Sequence, residues 1–390
     1  MTPNELPVPV ADPLPLPGPY GLLWALLQVT FLLHLVAMNA TLGGSFLALV
    51  WRRSADPRAQ AFVRWFAKGL PVAVAATVTL GVAPLLFVQV LYGRLFFTSS
   101  ILLGGYWLAL VPLFIVAYYG AYRLAFRAAG ESAAVGTTVA PTSVSMSLVL
   151  AVTVTLLFVA VSFLQSTNAA LQLRPEVFLA KYHLRPWGFH FDLDDNSFLP
   201  RWLHALLGAV AVAGAFVALL GFLRRKTDSA ASDWAVRTGL SSFAWATSAN
   251  VVLGAWYAMA LPRPTLARIA GGDPWAASLL AVGSVLGLAL VAIAVLGLSG
   301  RNPTRAVPVL AGHLAATLVI MVLLRDEVRR SALLQVGFSH HGWVSPQWSA
   351  IVAFVVCLLV AVTTISWMVR QLVRGEGDSK GTDQGISPSR

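Results

Sequence analysis

The sequence predicts an all-α polytopic membrane bundle with nine transmembrane helices, and three observations carry that prediction. Nine long apolar stretches are centred near residues 36, 82, 112, 155, 213, 251, 286, 316 and 359, and about 20 mostly apolar residues suffice to span a bilayer. Hydrophobic residues make up 57% of the chain and charged residues only 11%, a balance that a water-soluble domain does not reach. Lys and Arg are unequally shared between alternate connections: with the N-terminus outside, 17 lie on the inner side and 10 on the outer. The positive-inside rule therefore places the N-terminus outside and, with nine spans, the C-terminus in the cytoplasm. Such a protein belongs in a bacterial inner membrane as a multi-pass chain. The net charge of +11 clusters at span ends, where topology and anionic lipid account for it, so nucleic acid is excluded as a partner.

Each element follows from local composition. Residues 1–18 are Pro-rich and lack the basic flank of a secretory signal, so they read as an extracytoplasmic strap ahead of a retained first span. Residues 19–374 form the membrane domain. The first span carries His34, Asn39 and Thr41, the second Gln89, and the fourth leads into the longest connection, an outer loop over 165–201. That loop holds His183, Trp187, His190 and the acids Asp192, Asp194 and Asp195; loops of this length are commonly functional or docking surfaces. The fifth span opens on Arg201 and His204, the sixth carries Ser248 and Asn250, and the connection to the seventh runs only from about Leu261 to Pro274. The eighth contains His313 and ends in Asp326 and Glu327, and the ninth holds Cys357, the sole cysteine. One cysteine supports neither a disulfide, an iron–sulfur cluster nor covalent heme attachment. Residues 375–390 have too little apolar surface to order themselves and read as a disordered cytoplasmic tail.

Carboxylates are missing from the spans until Asp326 and Glu327 at the outer end of the eighth, so proton movement through this chain alone is disfavoured. No internal repeat beyond shared apolarity is visible, which argues against inverted-repeat transporters. The polar groups that remain in the spans are His34, His204 and His313 together with amides and hydroxyls. An imidazole in lipid needs a partner, either another polar group or a metal. The amides and hydroxyls read as interhelical glue. His340 and His341 in the last outer loop, with His183 and His190, have no spacing that specifies a metal.

Four segments go further. His34 is followed by Thr41-Leu42-Gly43-Gly44; Gly81-Val82-Ala83 precedes Gln89 and Gly93; Arg201-Trp202-Leu203-His204 opens the fifth span; and Glu327-Val328-Arg329-Arg330 closes the eighth. In these segments and in span order the chain resembles the large heme-bearing subunit of cytochrome bd-type quinol oxidases. The resemblance implies b-type heme held by His34 and His204 as axial ligands. It also implies Glu327 as a further iron ligand and Arg330 as a propionate partner. The family has a glutamate where this chain has Gln89, a residue that cannot exchange a proton. Its second ligand opposite the His204 counterpart is a methionine where this chain has Leu280, so either heme at His204 is five-coordinate or another group, such as Met259 at the outer end of the sixth span, replaces it. Its quinol site lies in an extended loop between the sixth and seventh spans, which is short here.

The function implied is a b-type cytochrome-like subunit that passes electrons from membrane quinol through heme to a periplasmic redox partner, such as a c-type cytochrome, in a respiratory complex. The outer loop after the fourth span is the candidate for a rebuilt quinol site or for the face that docks that partner. Two other readings stand beside it: a bd-like quinol oxidase that reduces oxygen, and a heme-free membrane scaffold or permease that shares the fold.

Overall fold

The computed structural model describes residues 15–133, 141–226, 229–338 and 343–374. Expectations for residues 1–14, for the tail from 375 and for His340 and His341 lie outside these. Nine long helices occur among the described residues: α1 (Tyr20–Trp51), α2 (Pro57–Leu102), α3 (Gly104–Ala133), α4 (Pro141–Leu171), α6 (Phe198–Arg224), α7 (Ser229–Ala260), α9 (Pro274–Ser299), α10 (Ala306–Gln335) and α11 (Trp348–Arg374). Two short ones, α5 (Phe178–Leu184) and α8 (Arg263–Ala267), lie in connections, the second continued by a π-turn over Arg268–Gly272. The chain is thus a multi-pass all-α membrane protein. We call the face that holds the start of α1 the outer face, following the Lys and Arg asymmetry.

Eight of the nine long helices are apolar enough to cross a membrane by length and composition. The exception is α7, whose middle carries Ser241, Ser242, Thr247, Ser248 and Asn250. Its place in the bundle rests on close packing with α6. A Cβ on Gly214 would come within 2.8 Å of the Phe243 nitrogen, and one on Gly221 within 2.8 Å of the Ser232 carbonyl oxygen. Small residues that let two backbones touch are the usual means of helix association where lipid gives no hydrophobic drive. Val236, Leu240 and Phe243 of α7 are fully enclosed against α6, α9 and α10.

The helices form two groups that meet along α1 and α6. One group is α1 to α4; the other is α6, α7, α9 and α10. Gly43 on α1 faces the backbone of Ala209 on α6, with no room for a side chain at that position. The 46-residue α2 is capped by Asp56, whose carboxylate accepts from the Arg58 nitrogen at 2.9 Å. It bends at Tyr92, the one residue in it with non-helical dihedrals. The last helix, α11, lies at the edge against α2, where Phe354 meets Phe87 edge-on at 4.9 Å between centroids. The outer connection is shorter than the sequence suggests, because α4 continues to Leu171 and α6 begins at Phe198. Leu16, at the end of the strap, forms a parallel bridge with Val344 just before α11, with the Leu16 nitrogen 2.9 Å from the Trp343 oxygen.

Candidate functional site

His34 and His204 sit on the two helices that join the groups, and each is fixed the same way. The His34 Nδ1 lies 3.0 Å from the carbonyl oxygen of Thr77 on α2. The His204 Nδ1 lies 3.2 Å from the carbonyl oxygen of Asn250 on α7. A carbonyl only accepts, so in both rings Nδ1 carries the proton and Nε2 keeps its lone pair. Nε2 has no hydrogen-bond partner in either ring among the described residues. One turn beyond each carbonyl stands a glycine. A Cβ on Gly81 would come within 2.8 Å of His34 Cε1, and one on Gly254 within 3.1 Å of His204 Cε1. Thr77 is held in turn by its hydroxyl, 2.8 Å from that of Thr41.

A cationic strip lies above the two rings, toward the outer face. Arg325 on α10 stacks on Phe31 at 4.1 Å, one helical turn before His34. It makes no hydrogen bond or ion pair among the described residues. Arg201 lies 5.5 Å over the Tyr257 ring, and Tyr257 in turn neighbours His204 at 6.5 Å. Arg201 donates to Ser197 Oγ at 2.6 Å, while its buried Nε has no partner among the described residues.

The two acids at the end of α10 point to different neighbours. Asp326 faces α1, where Trp24 Nε1 donates to it at 2.7 Å, and Arg329 lies 3.5 Å from its other oxygen. Glu327 faces the connection before α9, with Arg330 at 3.3 Å and Arg268 at 3.9 Å. The structure therefore joins Glu327 to Arg330, as the sequence suggests, but no contact links Glu327 to His34 among the described residues. Gln89 lies eight residues beyond Gly81 on α2, half-buried and without a side-chain hydrogen bond among the described residues. Leu280 packs into the apolar cluster of Leu261, Ile269, Ala276 and Val328. Met259, the expected substitute ligand, is 72% exposed: Asn250, Gly254 and Tyr257 mark the inward face of α7, and Met259 is on the other. His313 bonds the Val309 carbonyl of its own helix at 3.0 Å, a packing role.

The outer connection is an ion-pair knot. Asp192 is completely buried, with Arg174 at 2.9 Å and Lys181 at 3.4 Å from its Oδ1. Burial pushes the Asp192 carboxyl above the usual carboxylate range despite the two cations. Asp194 is exposed; modest burial acts to raise it, but the Lys181 ammonium bonded at 2.6 Å holds it below that range. His190 is bonded to the Arg185 carbonyl, and no group of three metal-binding side chains occurs among the described residues. Residues that sequence reasoning missed are Thr77, Gly254, Tyr257 and Trp24; the carbonyl partners are backbone atoms, which leave no trace in side-chain pattern.

The fold and the paired histidines define a multi-pass membrane protein of two linked helix groups, with one carbonyl-anchored imidazole facing each group's interior. No protein-family model matches the chain, and no curated protein matches it by sequence. Its fold is that of a chain in the structure of bd oxidase from Geobacillus thermodenitrificans: the TM-score is 0.67 at 13% identity, covering 93% of this chain and 99% of that one. The donor chemistry fits heme: each ring offers an Nε2 lone pair, each imidazole is seated against a glycine that keeps it in place, and Arg201 and Arg325 supply cations for carboxylates near the outer face.

Proposed function

We propose that the chain is a heme-bearing membrane subunit related to quinol oxidases, which carries electrons from membrane quinol through b-type heme toward a redox partner on the outer side of a bacterial inner membrane. The observation that carries this reading is the matched fixation of His34 and His204. A histidine whose Nδ1–H is held by a carbonyl is oriented, and its Nε2 is made more basic, as metal-ligating imidazoles require. Heme, when bound, supplies one-electron chemistry at iron. His34 and His204 would each hold a heme iron through Nε2, Gly81 and Gly254 seat the two imidazoles, and Arg201 and Arg325 would neutralise propionate carboxylates in a low-dielectric setting. Glu327 with Arg330 is a third candidate position, and Gln89 lines α2 as a hydrogen-bonding group that moves no proton. The fold of the bd oxidase chain supports the reading, and a c-type cytochrome is the partner class we favour.

The experiment is a reduced-minus-oxidised absorption spectrum of the purified chain with pyridine hemochrome counting. A b-type signal reducible by a quinol is expected. Folded protein that lacks heme, although expressed with ample heme supply, refutes the reading and leaves a scaffold or permease. Gln89 and Leu280 depart from the oxygen-reducing pattern, so quinol-driven oxygen uptake is expected to be absent; its presence would favour the oxidase instead.

A further inference from the structure

The outer connection carries a second surface with a different task. Most of its charges are paired with one another: Arg174 and Lys181 close on the buried Asp192 and on Asp194. What faces outward is Tyr182-His183-Leu184-Arg185-Pro186-Trp187, every residue of it exposed, with Leu184 at 77% and Trp187 at 80%. This segment is pinned at the rim of the bundle. The Gly188 carbonyl accepts from the Gly105 nitrogen at 2.9 Å, and the His190 nitrogen donates to the Leu102 carbonyl at 3.2 Å. Gly188, at φ +72°, fits over the turn between α2 and α3 where a Cβ would lie 3.2 Å from the Ile101 oxygen. Ile101 and Leu108, on the flanks of that turn, are themselves exposed on helices that cross the membrane. The apolar surface of the loop is thus continuous with the lipid-facing side of α2 and α3.

We infer that residues 182–187 are an interfacial anchor that lies in the headgroup layer of the outer leaflet, with Tyr182, Leu184 and Trp187 against lipid and Arg185 on a lipid phosphate. Tyr and Trp favour that depth because their rings are apolar and their tips polar. Arg185 has no ion pair among the described residues, and a guanidinium is suited to phosphate oxygens. A soluble redox partner would be met more naturally by outward charge, which steers encounter; here charge is spent inside the knot. The inference does not depend on heme.

The full chain with Cys357→Ser, reconstituted in nanodiscs containing phosphatidylglycerol, would carry a nitroxide at Trp187→Cys. Leu108→Cys serves as the lipid reference and Asn196→Cys, on an exposed polar residue of the same connection, as the aqueous one. Power saturation with oxygen and with a nickel chelate reads depth. An oxygen-to-nickel accessibility ratio at 187 at least several-fold above that at 196 is expected. A ratio equal to that at 196 overturns the inference and leaves the surface free for a soluble protein. Leu184→Cys gives the same reading if the Trp187 variant does not fold.

Discussion

The Nδ1 of His34 and the carbonyl of Thr77 are 3.0 Å apart, and the next turn of α2 after Thr77 is Gly81, against which the imidazole rests. Ring and backbone therefore define one another. The same pair of devices recurs at His204 with Asn250 and Gly254, so two sites more than 150 residues apart in sequence obey one rule.

Replacing each histidine separately tests that rule. His34→Ala and His204→Ala are each expected to remove a distinct part of the reduced-minus-oxidised spectrum and to lower the heme count by hemochrome. If both variants keep the full spectrum, neither residue is a ligand.

Glycine substitutions give a graded probe. At Gly81→Ala the new methyl would sit 2.8 Å from His34 Cε1 and 2.9 Å from Nδ1, whereas at Gly254→Ala the nearest approach to His204 is 3.1 Å. Overpacking costs roughly 1–3 kcal/mol, and the first site is the tighter. Heme occupancy should fall further in Gly81→Ala than in Gly254→Ala, measured as heme per polypeptide at equal expression.

Arg325→Gln removes a positive charge that sits over Phe31, one helical turn from His34. A nearby cation favours ferrous over ferric iron, so the midpoint potential of the heme at His34 should drop. An interaction of about 1 kcal/mol corresponds to roughly 40 mV for one electron. Potentiometric titration reads the shift, and an unchanged or raised potential contradicts the placement.

The knot of the outer connection predicts a pH and mutational pattern. Asp194 is held below the ordinary carboxylate range, so its contribution is present above that range and lost as pH falls through the depressed value. Asp192 is raised, so its ionisation weakens the folded loop as pH rises from the ordinary range through the raised value; the two trends oppose each other. Asp192→Asn removes the ionisation that burial penalises and leaves Arg174 and Lys181 paired with Asp194, so it should abolish the weakening toward higher pH, whereas Asp194→Asn, at an exposed partner, should abolish the loss toward low pH and cost under about 1 kcal/mol. Protease cleavage within residues 172–197, followed against pH, measures both.

Trp24→Phe leaves a buried Asp326 oxygen without its 2.7 Å donor. A loss of about 1–3 kcal/mol in detergent-solubilised stability is expected, with the heme spectrum unchanged, because this pair lies away from both rings.

The spans were legible because apolar runs of bilayer length have few other uses, and the histidines stood out as polar groups that lipid does not tolerate alone. Their partners were not legible: Thr77 and Asn250 act through main-chain oxygens on helices 43 and 46 residues away. Met259 lies on the outward face of α7, 72% exposed. Its two-residue offset from Tyr257 turns it outward by helical geometry, and only the packing of Asn250 and Tyr257 against His204 shows which face of α7 points inward. Asp326 and Glu327 look equivalent in sequence, and only the packing of α10 between α1 and the α8 connection assigns them opposite neighbours.

The modest apolarity of α7 bears on how the protein is made. A translocon admits segments by their affinity for lipid, and a helix bearing serines, threonine and asparagine at its centre gains little on its own. Its seat is the glycine-lined flank of α6, which emerges from the ribosome first. The two should enter the bilayer as a hairpin, with the earlier helix acting as the solvent for the later one, and a chain whose α6 flank was filled by larger side chains would strand α7 outside the membrane with the carbonyl that orients His204.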